Sequence, residues 1–137
     1  MASVLKVDEL QGIVSAGDIT VTSEGGSATQ SLQQGLAKVW ACYSSEGTPV
    51  LLDSFNVAST TDVGTGRFRF TFTNAMSNSN YSSSGNANIS GHYLATGVDN
   101  NGSAQQTTAV DKWLSRTDTG ALIDTNQVSA QIHGDLA

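Results

Sequence analysis

One cysteine, Cys42, and one proline, Pro49, are all that 137 residues contain of either type. A lone cysteine permits no intrachain disulfide, so stability has to come from burial or from contacts between chains. Charge is scarce too: 13% of the residues are Asp, Glu, Lys or Arg, and six basic against twelve acidic side chains leave a formal net charge of −6. A few scattered basic groups on an acidic chain repel phosphate backbones, which argues against nucleic acid as a partner. No apolar run approaches the roughly 20 residues of a membrane-spanning helix, which argues against membrane insertion. The opening MASVLKVDEL has no basic leader ahead of an apolar stretch and no Gly at position two. Neither an export signal nor a myristoylation signal is expected from it, and synthesis in a reducing cytoplasm is compatible with Cys42.

Aromatic residues are only 7%, yet hydrophobic residues reach 38% and include β-branched and aromatic runs that can bury, so the chain is not of the disordered type. Ser, Thr, Asn and Gly are abundant, a β-rich and turn-rich composition. The length suits one compact domain with a short tail.

Residues 1–26 differ from the remainder. Val4, Leu5, Val7, Leu10, Ile13 and Val14 are apolar but follow no sustained helical or strand period, which predicts an extended leader that needs a partner surface. Ile19 to Thr22 suits a short strand, and Gly25-Gly26 marks a hinge or boundary. Residues 27–137 then form the module. Ser27-Ala28-Thr29-Gln30 has the spacing of a capping box, and Leu32 and Leu36 one turn apart predict a helix of about two turns.

From Ala37 the period becomes two: Val39, Ala41 and Tyr43 alternate with Trp40, Cys42 and Ser44, a central strand with apolar groups on both faces. Val50–Val57 reads as the next strand, and Asp62–Gly66 as a turn. Phe68, Phe70 and Phe72 against Arg67, Arg69, Thr71 and Thr73 make the clearest half-buried strand of the sequence. Residues 77–88 read as a Ser/Asn loop with a few paired residues near Tyr81. Ala87–Ala95 sets Ile89, Gly91, Tyr93 and Ala95 on one face. Gly97–Gln106 reads as a loop, while Ala109–Arg116 and Gln127–His133 read as strands. Short strands at this spacing predict a mainly β fold: an antiparallel β-sandwich or barrel-like module with a short helix and an extended leader.

Catalytic chemistry is not expected. There is no G-x-S-x-G elbow, no phosphate-cradling Gly-rich loop, no H-E-x-x-H and no C-x-x-C. His92 and His133 lack neighbouring ligands at zinc-like spacing, and most carboxylates stand beside turn residues. Asp99-Asn100-Asn101-Gly102 resembles half a calcium loop but lacks the distal Glu, so neither a metal nor a cofactor is expected. Cys42, mid-strand, reads as a small buried hydrophobe. What remains is a binding surface: Ser/Asn/Gly loops carrying Tyr81, Asn86, His92, Tyr93, Asn100 and Asn101. Such loops supply hydrogen bonds and flat stacking faces at low charge, suited to sugars and neutral surface polymers; the plainer reading packs Tyr93 in the core.

Met1-Ala2-Ser3-Val4-Leu5-Lys6-Val7-Asp8-Glu9-Leu10-Gln11 resembles the leader that opens many tail-fibre and virion appendage proteins of marine bacteriophages. Leu32 to Trp40 is similar to the start of their C-terminal β-module. Asp53 to Val57, Asp62 to Gly66 with the aromatic strand after it, Asn74-Ala75-Met76 leading to Asn80-Tyr81, and the final His133-Gly134-Asp135-Leu136-Ala137 continue the likeness. The resemblance implies a virion protein whose leader, through Val4, Leu5, Val7, Leu10 and Ile13, attaches to another virion protein, and whose β-module forms a homotrimer. Physical chemistry points the same way, because a small module without disulfides gains stability by burying a face against its own copies. With almost no shaft between leader and module, a short appendage is expected rather than a long fibre. The alternatives are a capsid decoration or cement protein of the head-fibre kind and, lower, a tail-associated glycan hydrolase, which would need carboxylates converging in a cleft.

Overall fold

The computed structural model describes residues 4–13, 19–88, 95–98, 105–117 and 119–137, with the backbone alone at 95–98 and 111–116. The fold is mainly β, with antiparallel sheets and one small helix. Contacts divide the chain into two units, Met1–Leu36 and Ala37–Ala137.

In the first unit, residues 4–13 have no regular secondary structure. Strands β1 (Thr20–Thr22) and β2 (Thr29–Ser31) pair antiparallel. Gly25-Gly26 therefore lies in a hairpin turn instead of a hinge: Gly26, at φ 72°, donates its N–H to Ser23 O, and Ser23 N–H donates to Ala28 O. A positive φ at this position is what glycine provides without steric cost. The expected two-turn helix is shorter and later, a single turn α1 (Leu32–Gly35). Its cap is Ser31, whose Oγ accepts from Gln34 N at 3.4 Å. Ser31 and Gln34 repeat, four residues downstream, the Ser-x-x-Gln spacing of Ser27 and Gln30, and strand pairing has claimed Gln30, which faces Val21.

The second unit contains β3 (Val39–Ser44), β4 (Val50–Phe55), β5 (Val57–Gly64), β6 (Arg67–Phe72), β7 (Ser82–Asn88), β8 (Ala95–Val98), β9 (Ala109–Arg116) and β10 (Gln127–His133). Among the described residues these form two four-stranded antiparallel sheets, in the orders β4-β3-β10-β7 and β5-β6-β9-β8. Alternation places Val39, Ala41 and Tyr43 of β3, Val128, Ala130 and Ile132 of β10, and Phe68, Phe70 and Phe72 of β6 in one core, which Met76, Tyr81 and Val110 complete. Tyr43 links the sheets, its ring centroid 4.8 Å from that of Phe68 and 6.0 Å from that of Phe70. Each fully buried Phe, Val or Ile contributes about 1.5–3 kcal/mol of transfer free energy. That term is the main source of stability in a unit with no disulfide.

Four sequence expectations change here. The strand read over Val50–Val57 is two strands, because the chain turns at Asn56 (φ 58°) and passes from one sheet to the other. Asp62 consequently lies inside β5, and only Thr65-Gly66 form the turn. Residues 82–88, read as loop, are the edge strand β7, held by pairing with β10 from Gln127↔Asn88 to His133↔Ser82. Poor strand formers are tolerated at an edge when a strong neighbour supplies the ladder. Gly97 and Val98, assigned to a loop, end β8 and pair with Leu114 and Trp113. The expected face of Ile89, Gly91 and Tyr93 lies outside the described residues. The strands at Phe68–Phe72, Ala109–Arg116 and Gln127–His133 stand where the sequence puts them.

Candidate functional site

The side of the β4-β3-β10-β7 sheet facing away from the core carries two rows set by register. Phe55, Trp40, Gln131 and Ser84 face one another in turn across the four strands; Asp53, Cys42, Ser129 and Asn86 form the next row. Because side chains alternate along a strand, these residues take the outward side when Val39, Ala41, Tyr43, Val128 and Ala130 take the core. The two rows border an open depression of about 560 Å³ lined by Trp40, Cys42, Ser84, Asn86, Ser129 and Gln131, with Ala41, Gly85 and Ala130 between them. Trp40 is 38% exposed and Phe55 52%.

No side chain lining the depression is charged at neutral pH. Its polar groups are amides and hydroxyls, able both to donate and to accept. Cys42, half-buried rather than fully buried, receives a hydrogen bond on Sγ from Gln127 Nε2 at 3.2 Å. Leu52 takes the unpaired position of a bulge in β4, where the register shifts between Cys42 and Tyr43.

Of the residues expected to contact a receptor, Tyr81 and Asn86 fall among the described residues, and Tyr81 is buried while Asn86 is exposed. Tyr81 is 6% exposed: its ring packs edge-on against Phe72 at 6.1 Å, and its hydroxyl donates to Ala109 O at 3.1 Å, with Gln106 O 3.3 Å away. Gln105 Nε2 donates to Tyr81 O at 3.0 Å. Tyr81 thus ties β9 to the core and offers no stacking face to a ligand. Asn86 is exposed on β7 and borders the depression. His92, Tyr93, Asn100 and Asn101 lie outside the described residues. Val4, Leu5, Val7, Leu10 and Ile13, expected to attach to another protein, are all exposed, Val4 at 75% and Leu5 at 77%.

The sequence signal that finds the depression is the β3 alternation itself, which sets Trp40 and Cys42 on the opposite side from Tyr43. That Gln131, Ser129, Ser84 and Asn86 join them depends on pairings from strands 40 to 90 residues away.

At the end of β3, burial first and then the charges of Asp62 and Asp124 push the Tyr43 hydroxyl above its ordinary pKa, so it stays protonated well into the alkaline range. Asp124 Oδ1 accepts from Gly66 N at 2.7 Å, and Asp62 Oδ1 from Gly64 N at 2.9 Å, so both carboxylates brace the β5–β6 turn. Among the described residues, no three His, Cys, Asp or Glu side chains are grouped to hold a metal ion, and no helix is long and apolar enough to cross a membrane. No family model matches the chain, and no curated protein or solved structure matches it either.

Proposed function

We propose that this chain is a bacteriophage virion structural protein: a short, tail-fibre-like appendage that assembles as a homotrimer, without enzymatic activity, and resides on the particle after synthesis in the host cytoplasm. One observation carries the reading. Val4, Leu5, Val7, Leu10 and Ile13 are exposed in a segment without regular structure, while residues 37–137 hold a complete core of their own. Exposed apolar side chains on an extended segment gain order and burial only on a partner surface, which is the requirement of an attachment leader. The resemblance of the leader and of the terminal Gly134-Asp135 to phage appendage proteins supplies the identity of that partner as another virion protein.

The two sheets, with inward residues sharing one core, support a β-sandwich for the module. Host-surface polysaccharide is the proposed distal ligand. With Tyr81 in the core, that part of the reading rests on the sequence at His92, Tyr93, Asn100 and Asn101, with Asn86 beside them in the chain.

The test is particle incorporation. Phage whose gene carries Leu5→Asp and Leu10→Asp is expected to assemble particles lacking this protein, although the purified variant keeps its β-rich circular dichroism. Incorporation at the normal level would remove the attachment reading. A head-fibre-like decoration protein would show itself differently: particles lacking the chain would lose capsid stability with host adsorption intact.

A further inference from the structure

We propose that the outer face of the β4-β3-β10-β7 sheet is the seat of a second copy of this chain, which lays its β4–β5 edge into the depression beside Trp40. The inference rests on the trimer reading above and assigns it a surface.

Three features of the same unit favour a second copy as occupant. The first is charge. Each chain has a formal net charge of −6, so two copies repel except where a surface is neutral. All six side chains around the depression are uncharged, and Asp53 is the one carboxylate in the two rows that cross the sheet.

The second is that the chain holds the complementary part. Strands β4 and β5 are the outer strands of their respective sheets and follow one another through Asn56, so one flank of the unit is a continuous strand edge. Val50, Leu52 and Val63 are exposed along it. Leu52 stands out of register at the bulge, a protruding apolar group on a strand that, among the described residues, pairs on one side alone, with β3. A long apolar edge invites pairing with another chain unless it is covered. An apolar ridge and an aromatic-lined depression on one molecule make a heterologous contact, and such contacts build rings or filaments according to the angle between the two patches. Here the patches are neighbours, since β4 borders the face that holds Trp40. Adjacent patches turn each copy sharply relative to the last, as closure into a small ring requires.

The third is area. Four strands about 4.8 Å apart and about six residues long at 3.4 Å each present roughly 400 Å² in projection. That is about half of the ~800 Å² per partner in a standard interface. In a ring every chain makes the contact twice, once through its face and once through its edge, so each single contact stays at about half the standard size and the assembly holds through closure of the ring.

The experiment measures the mass of the full chain by light scattering, for the native protein and for Trp40→Lys, Leu52→Lys and the control Thr107→Glu. Thr107 is exposed just before β9, off the β4-β3-β10-β7 sheet and off the β4–β5 edge. The native chain and the control are expected to be trimers, and each lysine variant to be a monomer with unchanged circular dichroism. If the lysine variants stay trimeric, the surface assignment falls while the trimer stands. A monomeric native chain overturns both. Trimeric lysine variants that lose binding to host polysaccharide would make the depression a glycan site instead. Should a lysine variant not fold, the native Cys42 decides, because it lines the depression. Its alkylation by a maleimide is expected to speed up at least tenfold on dilution from trimer to monomer, and an unchanged rate overturns the proposal.

Discussion

The side chain of Asn56 is hydrogen-bonded to the main chain of Asn74 in both directions: Oδ1 accepts from Asn74 N at 2.7 Å and Nδ2 donates to Asn74 O at 3.1 Å. The carboxamide thereby takes the place of a paired backbone residue at the point where the chain leaves β4 for β5. Nδ2 also lies 3.1 Å from Lys38 O, and Asn56 O accepts from Thr73 N at 3.2 Å. Four segments of the second unit meet at this one residue, whose φ of 58° suits Asn or Gly and strains other side chains.

Two substitutions separate the side chain's bonds from the backbone angle. Asn56→Gly keeps the angle and loses the bonds, an expected cost of about 1–3 kcal/mol. Asn56→Ala loses the bonds and adds strain of about 1 kcal/mol or more. Urea denaturation should therefore rank native above Gly above Ala, and an Ala variant as stable as the Gly variant would show that the left-handed backbone carries no strain.

Tyr43 governs the alkaline limit. Its hydroxyl is buried and has no hydrogen-bond partner among the described residues, and its pKa is raised by burial and by the neighbouring Asp62 and Asp124. The folded state then holds a proton that the unfolded chain releases near pH 10. The stabilisation is complete below that pH and is lost as pH rises towards the folded value. Tyr43→Phe is expected to leave stability at pH 7 equal or improved by about 1 kcal/mol, since no satisfied bond is removed. The variant should also flatten the decline above pH 10 in a pH series of melting temperatures. An unchanged alkaline decline would assign it to another group.

Gly134 admits no larger residue. A Cβ there would stand 2.8 Å from Tyr81 Cβ and 2.8 Å from Met76 Cε. Met76 can swing its methyl aside, but Tyr81 Cβ is fixed by a buried ring. Gly134→Ala is expected to cost about 1–3 kcal/mol through displacement of the final segment, whose Ala137 N bonds to Ala75 O and whose Asp135 O accepts from Ser77 N. Differential scanning calorimetry of this variant beside Gly120→Ala, where φ is +83° but nothing lies within 4 Å, separates crowding from backbone strain.

Residues 37–137 are expected to fold alone, because every member of the core lies between Val39 and Ile132. The isolated fragment should show a cooperative melt with its midpoint within a few degrees of the full chain. A non-cooperative melt would mean that residues 1–36 contribute to the core.

Alternation alone determined much of this protein. Three phenylalanines at every second position leave one side of β6 no solution but burial, and the same period picks out Val39, Ala41 and Tyr43 and then Val128, Ala130 and Ile132. The lack of regular structure over residues 4–13 was equally legible, because Val4 to Ile13 follow no period that local structure could bury. What the sequence could not decide was pairing. Ser82–Asn88 lacks any strand signature and becomes β7 only because β10 offers it a ladder, and Tyr81, at the head of that segment, is buried for the same reason. Asn56 gave no local sign that it ends one strand and begins another, since its partners are 18 residues away on either side. The depression beside Trp40 likewise exists only after β3, β10 and β7 align. Period is a property of neighbouring residues and can be read from them, whereas register joins distant segments and is settled by whichever packing buries the core and satisfies the backbone together.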